Sequence, residues 1–545
     1  MTSPPVHRGG ARELAVVLVA GALLATALTY PLAFKIGHAG RVDNGDGQLS
    51  IWNVAWVART IVVDPLHVFD ANIFYPHRGT LAFSENNMGA GLLAIPAYWL
   101  TRNPVFAHNV VVLVAFTLSA TGMYYLVRYL VRDRRAAAIS AVCFAFCPYV
   151  FARLPHIQLL MTAGLPFSML AFHRFADRPT ARRGAVLGVV MAAQAICCGY
   201  YGIFVLLMVG FAALFLAATR RRWTNRRYWM SLAVGAAIAV ALVGPLFLPY
   251  AALQRNDGIL RTMDESLRYS ANWSSYFVSS AYAHSWMQEA LPPWNEVLFP
   301  GIIASALGVG AWIARREADR ETTALYGSIA LLALWASFGP RAGLYAVLYK
   351  TVPLFTWMRA PGRFGLMVAF ALAVLAGVAA ARLLSRARHA GLVTAGFVLA
   401  AVAELVTPVR FDEVSPISPA YQILATQPAA PVIEMPFFEQ RNYFPRHALY
   451  MMNSTVHWMP LVNGYSDTIP DDFRDNAVKL APFPYLVSFH VLERLGVRYA
   501  VFHMKMYDAK TRAEVEGRLT EFSQYLQPLY IDDETRLYEI VGFPP

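Results

Sequence analysis

Two carboxylates stand three residues apart in the stretch Arg41-Val42-Asp43-Asn44-Gly45-Asp46-Gly47-Gln48-Leu49. Glycine lets a backbone come close to a ligand, so Asp43 and Asp46 lie in a turn suited to chemistry. A carboxylate there can take the proton of an attacking hydroxyl as general base. It can also hold a divalent cation, Mg or Mn, against a phosphate. The same spacing occurs in solvated Asp-Gly turns that only connect two helices, which is the commoner use of such pairs. Leu49, Trp52 and Trp56 follow at helical spacing, with Asn53 and Arg59 among them. They read as an amphipathic helix in a membrane interface, with its tryptophans at headgroup depth.

Glu85 stands just before a short apolar run, where a carboxylate can face a cavity. Tyr75 belongs to the same polar stretch as Asn72, His77 and Asn87, and each of these alone is more often a surface residue. His156 and Gln158 share a turn between two apolar runs, as binders of an acceptor or a phosphate or as an ordinary polar turn. Arg359 and Arg363, in Arg-Ala-Pro-Gly-Arg-Phe, precede another apolar run. Guanidinium groups suit a lipid-phosphate clamp, and equally suit headgroup anchoring. Tyr200 and Tyr201 read as interface aromatics.

The elements that position these residues are membrane spans. The chain has 545 residues, 57% hydrophobic and 15% charged, against about 25% charged in soluble domains. Apolar segments of spanning length lie at about 14–34, 106–127, 136–152, 157–173, 184–199, 203–219, 229–250, 297–314, 323–338, 363–384 and 390–407. The first follows His7, Arg8 and Arg12 and reads as an uncleaved span, being long for a signal peptide. Basic clusters follow alternate spans, at Arg128–Arg135, Arg174–Arg183, Arg220–Arg227, Arg315–Arg320 and Arg382–Arg388. The positive-inside rule then gives eleven spans with the N-terminus cytoplasmic. A span at Gly89–Leu100 would invert every later cluster, so this short run reads as re-entrant or interfacial. The arginines do not gather on a soluble domain, which excludes a nucleic-acid binder. Cys143, Cys147, Cys197 and Cys198 all lie in apolar stretches, leaving no disulfide framework or thiolate zinc site.

The expected architecture is an all-α polytopic bundle over 1–407, with a long first extracytoplasmic loop at 35–106, followed by an extracytoplasmic α/β domain over 408–545. That tail holds 12 basic and 17 acidic residues. Strands are expected at Val432–Met435 and Tyr499–His503, with a hairpin at Leu529–Ile531 and Arg536–Ile540. Helices are expected near Tyr485–Leu495 and Thr511–Tyr525.

Together these features resemble the GT-C superfamily of membrane glycosyltransferases, and most nearly its poorly characterised bacterial branch. The likeness rests on Gly45-Asp46 followed by Leu49, Trp52 and Trp56, on Asn72, Tyr75 and Pro76, and on Arg359 to Phe364. Val462-Asn463-Gly464-Tyr465-Ser466 in the tail looks similar too. The resemblance implies a first-loop Asp as catalytic carboxylate and a polyprenyl-phosphate sugar as donor. Asp46 carries that role over best by position, Asp43 second. The chain departs from the pattern in having no adjacent acidic pair, so the resemblance settles neither the base nor a metal. It implies an inverting transfer to a glycan, lipid or protein acceptor at the outer face of a bacterial inner membrane, with Arg359, Arg363 or His156 holding the phosphate. Two rivals remain: a lipid or glycan transporter of envelope assembly, which would bury ionisable residues in mid-span, and a non-catalytic member of the fold. Glu404, near a span end, is one of few residues of the transporter kind.

Overall fold

A computed structural model describes residues 8–257, 261–291, 296–314 and 317–545. His7, Arg315 and Arg316 lie outside the described residues, as do 258–260 and 292–295 of the second outer stretch. The chain forms two compact units. One, helical, comprises Met1–Phe34 and Val111–Val409; the other, of loop and tail, comprises Lys35–Val110 and Arg410–Pro545. The first loop, which chain order attaches to the 1–407 membrane domain, thus packs with the tail residues.

Among the described residues six helices are long and apolar enough to cross a membrane: Gly10–Leu28, Pro104–Val131, Arg134–Phe151, Gly199–Thr219, Arg226–Arg255 and Pro361–Leu384. The protein is a multi-pass membrane protein with a mostly helical fold. Met88–Thr101, Ile302–Ile313 and Ala390–Leu405 are apolar but shorter. The segment expected at 157–173 breaks into Ile157–Leu160 and Gly164–Asp177. Pro166 lacks an amide proton and fits only the first turn of a helix, so the second piece starts beside it.

The Gly365–Leu384 helix is buried along nearly its whole length and packs against Arg134–Ala145, Ile302–Ile313 and Arg320–Ser337. A helix apolar on every face belongs inside a bundle. Ser140 Oγ donates to the Ala373 carbonyl across that contact at 2.7 Å. Ala181–Cys197 and Arg226–Asp257 approach closely: a Cβ on Gly188 would lie 2.1 Å from the Gly235 carbonyl oxygen. Small residues let helices touch where lipid offers no hydrophobic drive to associate. Exposed Val16, Val19 and Leu23, and exposed Val240, Leu242 and Leu248, are the lipid-facing sides of their helices.

In the loop-and-tail unit, β1 (Ala39–Gly40) pairs antiparallel with β2 (Asp412–Glu413). β3 (Val432–Met435), β4 (Tyr499–His503), β5 (Leu526–Ile531) and β6 (Thr535–Ile540) form one sheet in the order β3-β4-β6-β5. β3 and β4 run parallel, and the other pairs antiparallel. The two helices expected in the tail form at Leu486–Leu495 and Ala509–Glu521. The loop segment 72–75 joins the sheet through the tail: Leu461 N donates to Asn72 O at 2.9 Å, Phe74 N to Asn463 O at 3.1 Å and Tyr75 N to Leu461 O at 2.8 Å. Val432 N in turn donates to Pro460 O, and Val462 N to Val432 O. A tail segment is therefore threaded between the loop and β3.

Candidate functional site

Asp46 lies in the first turn of the Gly45–Val63 helix. Asn44 caps that helix by accepting from Gly47 N at 2.9 Å. The positive end of the helix dipole favours the anionic carboxylate there. The two flanking glycines serve close packing of the protein on itself. A Cβ on Gly47 would fall 1.6 Å from the Arg41 carbonyl oxygen, and one on Gly45 would fall 2.5 Å from that of Pro445. Asp46 Oδ1 accepts from the Tyr465 hydroxyl at 2.9 Å. Both residues are half-buried, so the carboxylate is fixed and still open to a ligand. Asp43 is engaged differently. Arg41 grips it through both oxygens, at 2.9 and 3.1 Å, and this holds its carboxyl below the ordinary value. A carboxylate so paired is a weaker base.

Three sequence motifs meet at Asn72. Its Oδ1 accepts from Trp52 Nε1 at 3.1 Å, and its Nδ2 donates to Ser454 Oγ at 3.1 Å and to Met459 O at 3.0 Å. Trp56 Nε1 donates to Val68 O at 2.9 Å. Trp52 and Trp56 are buried within the unit, so the helix does not float in the interface with its indoles at headgroup depth. Buried indoles need acceptors, and here they find them inside the protein. Tyr75 is half-buried, and its amide makes the Leu461 bond given above. Glu85 lies beside the Gly45–Val63 helix, where its carbonyl accepts from Asn53 Nδ2 at 3.2 Å.

Arg359 and Arg363 belong to the helical unit, where they share Tyr200. The Arg359 amide donates to Tyr200 Oη at 2.8 Å, and the Arg363 guanidinium lies 4.2 Å over the Tyr200 ring. Arg359 also stands 3.6 Å from Glu265. No carboxylate among the described residues pairs with Arg363, which leaves that cation available to an anion. Tyr201 is fully buried and donates to Leu159 O at 3.0 Å. Tyr201 is thus part of the interior and not of an interface belt, while half-buried Tyr200 belongs to the arginine cluster.

Arg153, absent from the sequence reading, pairs with Glu296 and lies 4.9 Å over the Tyr149 ring. It is within electrostatic reach of Arg363. Its signal was the same as that of Arg359, an arginine at the end of a span away from any basic cluster. The His156 amide donates to Arg153 O at 2.9 Å, which sets His156 and Gln158 just after this arginine. Gln158 Oε1 is buried and has no hydrogen-bond partner among the described residues. Glu404 accepts from the amides of Ile302 and Ile303 and lies 3.3 Å from His284. It caps a helix, a structural role that removes it as a mark of a transport path.

Among the described residues no group of three His, Cys, Asp or Glu could hold a metal ion.

The family described as a domain of unknown function, DUF6311, matches residues 18–405. No curated protein matches. Among solved structures, the arabinofuranosyltransferase AftD from Mycobacteria is similar with a TM-score of 0.57 at 16% identity, over 99% of this chain and 42% of its own. ArnT from Cupriavidus metallidurans in the apo state is similar with a TM-score of 0.50 at 14% identity, over 98% of this chain and 100% of its own. The oligosaccharyltransferase AglB from Archaeoglobus fulgidus, solved with an inhibitory peptide and a dolichol-phosphate, gives a TM-score of 0.47 at 14% identity, over 97% of this chain and 74% of its own. The fold is that of the GT-C membrane glycosyltransferases.

Proposed function

We propose that this chain, which belongs to the DUF6311 family, is a membrane glycosyltransferase that moves a sugar from a polyprenyl-phosphate donor to an acceptor at the extracytoplasmic face of a bacterial inner membrane. The observation that carries this reading is Asp46, a carboxylate fixed by a capped helix start and by Tyr465 yet open to a ligand. In the step proposed, an acceptor oxygen attacks the anomeric carbon. The bond from that carbon to the phosphate oxygen breaks, polyprenyl phosphate leaves, and Asp46 takes the acceptor's proton. Inversion at the anomeric carbon follows from a single displacement.

Each unit has a part in this reading. In the helical unit, Arg363, with no carboxylate partner among the described residues, and Arg359 beside it bind the donor's phosphate, and His156 and Gln158 lie nearby in sequence to Arg153 of the same cluster. In the other unit, the tail contributes to holding the acceptor. The reading routes no step through a metal. Its direct test is binding of synthetic polyprenyl phosphate to the purified full chain. Arg363→Gln should weaken that binding by about tenfold, the worth of one charge-assisted hydrogen bond. Unchanged binding in a variant that melts like the parent returns both arginines to anchoring.

A further inference from the structure

A cleft of about 370 Å³ opens in the helical unit, lined by Arg128, Arg132, His173, Asp177, Arg220 and Glu321 among others. Residues of three of the sequence's basic clusters, and one next to a fourth, meet there. The carboxylates of the cleft are already committed. Glu321 accepts the Arg220 fork at 2.6–3.1 Å, while Asp177 accepts from Arg220 Nη1 at 2.9 Å and from Tyr129 Oη at 2.5 Å. His173 Nε2 is held by Tyr326 Oη at 2.9 Å.

What is left over is cationic. Arg128 approaches Glu13 only to 3.5 Å, and its buried Nε makes no hydrogen bond among the described residues. Arg132 lines the cleft and has no carboxylate partner among the described residues. Its φ of 58° is left-handed, a conformation that residues with a Cβ seldom take. Glycine or asparagine would end the helix there at less cost. The spans Pro104–Val131 and Gly199–Thr219 both stop at this level. That is where apolar helix meets lipid headgroups.

We propose that this cleft binds a phosphate group, carried by a phospholipid headgroup or free in solution, with Arg128 and Arg132 as its ligands. Two guanidinium groups on the lining of one opening suit the oxygens of a phosphate. The site is independent of the transferase reading and shares none of the residues assigned to it.

The test uses the purified full chain in neutral detergent, with binding read by native mass spectrometry and thermal shift. The probes are dioleoylphosphatidylglycerol, dioleoylglycerol (which lacks phosphate) and inorganic phosphate. We expect the phosphatidylglycerol to bind and the dioleoylglycerol not to. Arg132→Gln should weaken binding by roughly tenfold, while Arg182→Gln, an exposed arginine outside the cleft, should not. Phosphatidylglycerol that inorganic phosphate cannot displace identifies a lipid headgroup as the ligand. Inorganic phosphate binding as tightly and displacing the lipid identifies free phosphate. Equal weakening by Arg182→Gln overturns the proposal in favour of diffuse surface charge, as does unchanged binding in a folded Arg132→Gln variant. If Arg132→Gln does not fold, Arg132→Lys takes its place, keeping the charge and losing the fork. Binding unaltered by Arg132→Lys then also counts against the site.

Discussion

Tyr465 lies 419 positions from Asp46 in the chain, and its hydroxyl donates directly to the carboxylate. A hydrogen bond of this kind holds the carboxylate in one orientation. Removing it in Tyr465→Phe should leave the carboxylate less firmly placed and lower the transfer rate by about tenfold. The ring stays in place, so stability should fall by only about 1 kcal/mol. A transfer rate equal to that of the parent would show that Tyr465 serves packing alone. Asp46 is singled out by its glycine neighbours and its place after the first span, and the structure adds that it opens a capped helix. The reason for those glycines was not legible in the sequence, because Arg41 and Pro445 meet Gly47 and Gly45 only in the folded chain. Tyr465 stood out as part of a tail motif, but no spacing rule connects it to a residue so distant. Tyr201, fully buried, departs from the interface reading for a related reason. A tyrosine at a span end suits an interface belt, and only tertiary contacts reveal the Arg363 cation over the Tyr200 ring.

At the scale of elements, the threading of Leu461–Asn463 beside β3 creates a buried polar seam. Asn463 Oδ1 accepts from Glu434 N at 2.7 Å, and its Nδ2 donates to Glu434 O at 2.9 Å and to His447 Nδ1 at 3.1 Å. His447 can accept at Nδ1 only while neutral. Burial lowers its pKa to about 4, and lowers that of His457 likewise to about 4. His457 Nδ1 accepts from Met459 N at 3.0 Å. The unfolded chain protonates both near 6.5, so between 6.5 and 4 it binds more protons than the native state. The stability these neutral histidines contribute is complete above about pH 6.5 and is lost progressively down to about pH 4. Each accounts for at most on the order of 3 kcal/mol. Thermal melts of the full chain across that range should fall on the acid side, and His447→Gln should flatten the fall. A slope unaltered by that substitution would place the acid sensitivity elsewhere. The strands and helices of the tail were readable from alternation and helical periodicity. The β1–β2 pair was not, being two residues long on each side.

At the scale of the whole molecule, chain order and packing disagree. A loop near the start and a tail at the end form one unit, because backbone amides of 72–75 and side-chain groups of Asn72 find their partners in the tail. Periodicity reports local burial and cannot see such pairing. Hydropathy did mark the membrane helices, although prolines and short segments break several of them. From the alternation of basic clusters and the positive-inside rule we propose that the C-terminus lies outside the cytoplasm. Alkaline phosphatase fused after Pro545 should therefore be active, and a cytoplasm-only reporter silent. The reverse pattern would put Asp46 and the tail on the wrong side for a lipid-linked donor at the outer face.

The central claim is that Asp46 takes the acceptor's proton during sugar transfer. Its most direct measurement is the rate of transfer from polyprenyl-phosphate sugars by purified Asp46→Asn, beside an Asp43→Asn variant of equal thermal stability. The account predicts a loss of roughly 10²–10⁴-fold for Asp46→Asn, with donor binding intact and a smaller loss for Asp43→Asn. Near-parental turnover in Asp46→Asn would contradict it.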